Sequence, residues 1–178
     1  GKMIRIDLDP ARFNDAFPAR VGIQGDAGPA VEMVLAELRS RGVTAVNKNT
    51  LDDLRQVRAQ QSADFTSVEN QHIRLLSMIR DVLPDDAITM GDIAQLVYTG
   101  TQAMPTHLPR TWFYPAGFGT LGCALPGAIG AKIALPERDV VALVGDGGFM
   151  FTVQELATAV EEELTLPIIL WNNNSYAM

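Results

Sequence analysis

Two oxygen-rich clusters interrupt the apolar runs of this chain. Gly145-Asp146-Gly147-Gly148 follows Asp139-Val140-Val141-Ala142-Leu143-Val144, and Asn172-Asn173-Asn174-Ser175 follows Ile168-Ile169-Leu170-Trp171. The Asp146 carboxylate and an Asn173 amide oxygen are hard ligands suited to Mg2+ or Ca2+. Gly145, Gly147 and Gly148 let the backbone approach a ligand closely and turn N–H groups toward phosphate oxygens. Two side-chain ligands leave a cation to be completed by water and a diphosphate, a common way of holding Mg2+. Either cluster alone reads as an ordinary turn; as a pair they read as a site. No Gly-x-x-x-x-Gly-Lys-Ser/Thr is present, and the glycines of 117–122 lack the dinucleotide-binding spacing.

The elements that must position these clusters follow from periodicity. Residues 139–144 form a continuous apolar run, expected of a parallel strand buried on both faces. Val153, Leu156, Ala157, Val160 and Leu164 predict an amphipathic helix starting near Thr152, and 168–171 a last strand. Strand, helix, strand makes a right-handed βαβ unit whose ligands bind beyond the carboxyl ends of the strands. Upstream, 87–90 predicts a short strand, and Ile73, Leu76, Ile79 and Leu83 a helix ending at Pro84. Residues 3–8 and 21–23 read as extended. Val31, Val34, Leu35 and Leu38 give one helix face, with Asp26 near its start and Gly42 as its stop. The polar stretch 43–65 reads as a connection with room for a short helix. The roughly 45 residues before it are too few for a domain of their own and read as the end of one.

Composition bounds the remainder. The chain has 178 residues, a net charge of −7 and one cysteine, Cys123. Such an acidic surface disfavours nucleic acid and anionic membranes as partners. No apolar run reaches the length of a membrane span. A lone cysteine forms no internal disulfide, so a cytoplasmic protein is expected.

Asn173 lies 27 residues beyond Asp146. With Gly145-Asp146-Gly147 and Asn172-Asn173, that spacing resembles the thiamine diphosphate-binding signature. Phe149-Met150, Val153-Gln154-Glu155-Leu156-Ala157-Thr158, Gly119-Thr120-Leu121-Gly122 and Leu125-Pro126 resemble the acetolactate synthase and 2-oxo acid decarboxylase group. Ile4-Arg5-Ile6-Asp7-Leu8-Asp9-Pro10 resembles the end of that group's central domain. The resemblance implies an α/β, doubly wound, parallel-sheet thiamine diphosphate-binding fold, incomplete and preceded by the tail of a Rossmann-like domain. Residues 1–45 would be that tail, 46–65 a linker, and 66–178 the cofactor domain, truncated on its C-terminal side.

The same resemblance implies site residues. Asp146, Asn173 and the Ser175 carbonyl match the Mg2+ ligands. Gly91 and Asp92 match a diphosphate-contacting loop, and Gly145, Gly147 and Gly148 the cradle beside it. Thr120 falls in the cofactor-contacting loop. The Gly119 carbonyl matches the acceptor for the aminopyrimidine amino group, and Leu121 the apolar wedge that bends the cofactor. The implied activity is decarboxylation of a small 2-oxo acid, with or without carboligation. A homo-oligomer with cofactor between subunits is expected. The catalytic glutamate of the family is expected outside this chain, so these residues alone are expected to be inactive.

Three positions depart from the family pattern. Gly148 replaces a frequent Ser or Ala, Asp92 a neutral hydroxyl or amide, and Ser175 a Gly or another small residue. A carboxylate beside a diphosphate is unfavourable unless turned away or paired. A non-catalytic thiamine diphosphate-binding or assembly module, a simple 2-oxo acid decarboxylase, and an unrelated α/β nucleotide binder are the alternatives. The other polar and aromatic residues read more plainly. His72 is expected to be solvated, His107 to sit in a loop, and Cys123 to be a packing thiol. Glu161-Glu162-Glu163 reads as a solvated helix end, while Trp112, Phe113 and Tyr114 suit packing, a substrate entrance or an interface.

Overall fold

The computed structural model describes residues 2–14, 16–43 and 48–174, which divide into two compact units at Gln61/Ser62. In the first unit, β1 (Ile4–Asp7) pairs in parallel with β2 (Val21–Gln24), Ile4 opposite Val21. The ring of Phe13 lies where a side chain on Gly22 would sit, 2.6 Å from an added Cβ. Helix α1 (Ala27–Ser40) starts where expected, because the Asp26 carboxylate accepts from the Gly28 N–H at 2.8 Å. It stops where Gly42 adopts φ +69°. No described residue of 2–43 is buried, and the stripe Val31, Val34, Leu35 and Leu38 stays 40–46% exposed.

The polar stretch holds more helix than its composition suggested. Helix α2 (Lys48–Asp64) runs 17 residues, with every side chain from Thr50 to Asp64 exposed. Between Lys48 and Asp64 there is no Gly or Pro, and Leu, Arg, Gln and Ala are good helix formers.

The second unit is built on a four-stranded parallel sheet of spatial order β4-β3-β5-β6: β3 (Ile88–Gly91), β4 (Trp112–Phe113), β5 (Val140–Gly145) and β6 (Ile168–Trp171). Helices α3 (Ser67–Val82) and α4 (Gln95–Ala103) cover one face, where Val141 and Leu143 pack with Leu76, Ile79, Leu96 and Val97. Helix α5 (Ala124–Ala134) covers the other, where Val140, Ala142 and Val144 pack with Ala124 and Ala128. The fold is thus a partial doubly wound sheet, as the sequence implied. From β3 the chain crosses to β4 on one side and returns to β5 on the other. The carboxyl ends of β3 and β5 are therefore a topological switch point, where such sheets bind ligands.

Two expectations change here. The helix after β5 does not start near Thr152. Helix α6 (Asp146–Thr152) begins directly at the strand end, a 3-10 turn spans Val153–Glu155, and α7 (Leu156–Glu161) follows. The Gly147-Gly148 pair reads as a turn by propensity, but a fully buried strand must reverse at its first polar residue. His72 is not solvated: it is 2% exposed. Its Nδ1 lies 2.9 Å from Thr99 Oγ1, and its ring meets Trp171 edge-on at 4.8 Å. The Thr99 hydroxyl also lies 3.3 Å from the Gln95 carbonyl.

Burial lowers the pKa of His72 below its ordinary 6.5, against a smaller opposing pull from Glu69. The folded state therefore binds fewer protons than the unfolded state in that window. Urea unfolding midpoints are expected to be steady well above 6.5 and to fall as pH drops from 6.5 through the lowered folded pKa. His72→Gln should flatten that part of the profile.

Candidate functional site

Gly145, the last residue of β5, lies opposite Trp171, the last residue of β6. Asp146 and Asn172-Asn173 therefore leave the sheet side by side. Asp146 is half-buried and takes no hydrogen bond or ion pair from any described residue. Gly145 is extended (φ −83°, ψ 157°) and caps α6, so Asp146, Gly147 and Gly148 form the first turn of that helix. An added Cβ on Gly145 would lie 3.3 Å from the Ala94 Cβ, a crowded strand end. Beyond β6, the Asn174 N–H donates to Asn172 Oδ1 at 2.8 Å, and Asn174 adopts φ 56°. That turn presents Asn173 between them. Ser175 lies outside the described residues.

Asp92 has a different environment. It directly follows β3, is 1% exposed, and its own N–H donates to the Leu143 carbonyl at 2.9 Å. Its Oδ1 accepts from the N–H groups of Ile93 (2.7 Å) and Gly122 (3.0 Å). Its Oδ2 accepts from Ala124 N–H at 3.2 Å. Ala124 opens α5, whose cap residue Cys123 makes no side-chain capping bond. Asp92 thus caps α5 from a distant strand, where a negative charge also suits the helix dipole. The carboxylate is turned away from solvent and takes three backbone N–H donors, and its own N–H is engaged with Leu143 O. Gly148 belongs to the same arrangement. A Cβ there would sit 2.8 Å from Asp92 Oδ1.

The loop before α5 supplies the third wall. Gly119 has φ +62° and its N–H donates to Pro115 O at 3.0 Å, while its carbonyl accepts from no described residue. Thr120 is exposed, Leu121 is 37% exposed and Phe118 fully so. Gly122 has φ +82°, and a Cβ there would lie 2.9 Å from Phe151 Cβ and 3.2 Å from Gly148 O. The Thr152 hydroxyl donates to the Gly122 carbonyl at 2.9 Å. The loop is therefore tied to both β3 and α6. Sequence reasoning missed these ties, because the partners of Asp92 lie 30 and 32 residues away with no local signal.

No group of three His, Cys, Asp or Glu that could hold a metal occurs among the described residues. A cation at the strand ends would therefore rely on Asp146 with amide, carbonyl and ligand oxygens. The half-buried, unpaired Asp146 carboxylate and the free Gly119 carbonyl fit a diphosphate-bearing, metal-bound cofactor. Cys123 lies outside this chemistry. Its thiol is 3.8 Å from Gly91 O, and burial, with the Asp92 carboxylate adding to it, pushes its pKa up to about 11.

Residues 92–178 match the family described as thiamine pyrophosphate enzyme, C-terminal TPP binding domain. A probable 2-ketoarginine decarboxylase of Pseudomonas aeruginosa is 41% identical over 176 residues, 98% of this chain and 31% of that protein. The large subunit of acetolactate synthase isozyme 1 of Escherichia coli is 33% identical over 183 residues, 99% of this chain and 31% of that protein. The structure of a thiamine diphosphate-dependent 4-hydroxybenzoylformate decarboxylase from Rhodococcus jostii RHA1 is also similar. It has a TM-score of 0.54 and 31% identity, covering 59% of this chain and 20% of that one. The chain thus spans about a third of the length of these curated relatives.

Two outcomes are expected from this geometry. Gly122→Ala should lower the urea unfolding free energy by about 1–3 kcal/mol, since φ +82° and the Phe151 contact both oppose a Cβ. Alkylation of Cys123 by iodoacetamide in the folded chain should rise with a midpoint near 11 rather than the ordinary 9.0.

Proposed function

From the premise that this chain belongs to the thiamine pyrophosphate-dependent enzymes of the acetolactate synthase and decarboxylase type, we propose that it binds thiamine diphosphate through Mg2+ for the decarboxylation of a small 2-oxo acid. One observation carries this reading: Asp146 stands half-buried and unpaired at the switch point, beside Asn173 on the neighbouring strand end. Asp146, the Asn173 amide and the Ser175 carbonyl would hold the Mg2+, and the backbone of Gly145, Gly147 and Gly148 would lie against the diphosphate. The Gly119 carbonyl would accept from the aminopyrimidine, with Thr120 beside it and Leu121 beneath the cofactor. Gly91 and Asp92 would support this site through the backbone behind it. The bound cofactor supplies an electron sink for loss of CO2. This chain's own residues would bind and orient it, and Leu121 would shield its apolar side from water.

The greater identity to a protein named as a decarboxylase than to acetolactate synthase, 41% against 33%, favours decarboxylation without carboligation. In the whole protein, residues 1–45 would end a central domain, 46–65 would link it to the cofactor domain, and the catalytic glutamate would come from elsewhere. A cytoplasmic homo-oligomer with the cofactor between subunits completes the proposal. Among the described residues no helix is long and apolar enough to cross a membrane.

The test is thermal unfolding with thiamine diphosphate, with Mg2+, and with both. Stabilisation is expected only with both, growing with ligand concentration as linkage requires, and Asp146→Ala should abolish it. Equal stabilisation by thiamine diphosphate with and without Mg2+, or an unchanged response in Asp146→Ala, would remove Asp146 as the metal ligand.

A further inference from the structure

We propose that Asp92 is the positioning residue of the cofactor site. Its carboxylate anchors the Gly119–Gly122 loop where that loop meets the Gly145–Gly148 turn, and Gly148 is glycine because that carboxylate occupies its side-chain space. The inference rests on the reading of those two segments as the cofactor's walls, but its geometry stands apart from it.

Three segments meet at this one side chain. From the end of β3, Oδ1 accepts from Gly122 N–H at 3.0 Å and Oδ2 from Ala124 N–H at 3.2 Å. These bonds hold the entry of α5 and fix the Gly122 turn at φ +82°. On its other side the carboxylate faces Gly148, where an added Cβ would approach Oδ1 to 2.8 Å, Cγ to 3.0 Å and Oδ2 to 3.3 Å. The α6 backbone consequently packs directly on the carboxylate, with nothing between. Thr152 Oγ1 closes the triangle by donating to the Gly122 carbonyl. A buried carboxylate in this position is held by its N–H donors, and losing it leaves two of them, on Gly122 and Ala124, without an acceptor.

The acid at 92 and the glycine at 148 therefore belong to one arrangement, because the carboxylate stands where a Cβ at 148 would lie. A shorter residue at 92 would leave room for a Cβ at 148; a carboxylate at 92 forbids it. Asp92 touches neither cofactor nor substrate in this arrangement. It acts through the two backbone segments it contacts.

The experiment is a double-mutant cycle in the full chain with Asp92→Ser, Gly148→Ala and the pair together, and with Asp92→Asn as the conservative variant. The first readout needs no cofactor: amide hydrogen exchange at Gly122 and Ala124, alongside urea unfolding. Asp92→Ser should speed exchange at those two amides by on the order of tenfold or more while leaving β5 protected. Gly148→Ala should destabilise strongly alone and much less in the Asp92→Ser background, a coupling of close neighbours. Asp92→Asn, which keeps one acceptor, should retain part of the protection. The second readout is the apparent affinity for thiamine diphosphate at saturating Mg2+. Asp92→Ser/Gly148→Ala should be less destabilised than the sum of the two single variants yet bind roughly tenfold more weakly than the unsubstituted chain, because the Gly122 turn has lost its anchor.

Unchanged exchange at Gly122 and Ala124 in Asp92→Ser, or strictly additive destabilisation in the cycle, would overturn the proposal. So would unsubstituted affinity in the double variant. If the unsubstituted chain shows no response to thiamine diphosphate, the proposed function fails. Exchange and coupling then decide the positioning role by themselves.

Discussion

Strand β5 has no solvent-facing side, and that constraint organises the second unit. Val140 to Val144 are all 2% exposed or less. Odd and even residues pack on opposite helical layers, α3 and α4 on one face and α5 on the other. Truncating a side chain such as Leu143 in this layer would cost about 2–5 kcal/mol, because the surrounding layers collapse only partly into the void. A strand buried on both faces tolerates polar residues only at its ends. Polar residues accordingly begin where β5 runs out, and the parallel pairing with β6 brings both exits to one edge of the sheet.

Buried polar groups in this unit fall into two kinds. Asp92 is satisfied by three N–H donors from the protein backbone. His72 Nε2, Trp112 Nε1 and Trp171 Nε1 are buried without a hydrogen-bond partner. His72 and Trp171 instead meet edge to face, which orients the ring at the end of β6. Trp171 immediately precedes the asparagine turn. The packing of α3 and α4 thus reaches the strand end that presents Asn173 through this ring contact.

The sheet was legible in the sequence because its signals are local. Apolar run length marked β5 and β6, a proline and polar residues bounded them, and alternation marked β1. Asp146 and Asn173 were legible as a pair from position alone, both directly past apolar runs. The two-residue strand β4 and the short helix α4 were not, since neither spans enough residues to show a period. His72 read as solvated because Glu69, Gln71 and Arg74 surround it in sequence, yet it falls on the helix face that meets α4. The role of Asp92 depends on pairing across some thirty residues, which no window in the sequence contains. The 17 residues of α2 were hidden differently: a helix with every described side chain in water leaves no hydrophobic stripe to read.

The same dipeptide, Gly-Asp, ends two adjacent parallel strands, and the two carboxylates meet opposite fates. Register is the reason. Gly91 lies opposite Leu143, not Gly145, so Asp92 arrives level with Val144, before β5 ends, and remains within the depth of the sheet. There its main chain still bonds to Leu143 O and its side chain turns inward onto Gly122 and Ala124. Asp146 arrives past the end of every strand that flanks it, where β6 ends at Trp171 opposite Gly145. It finds no backbone donor among the described residues and stays half-buried and unpaired. A two-residue stagger between neighbouring strands therefore divides the labour of two identical side chains. One carboxylate is spent inside the protein to anchor a wall of the crevice, and the other is left at the strand end without a described partner.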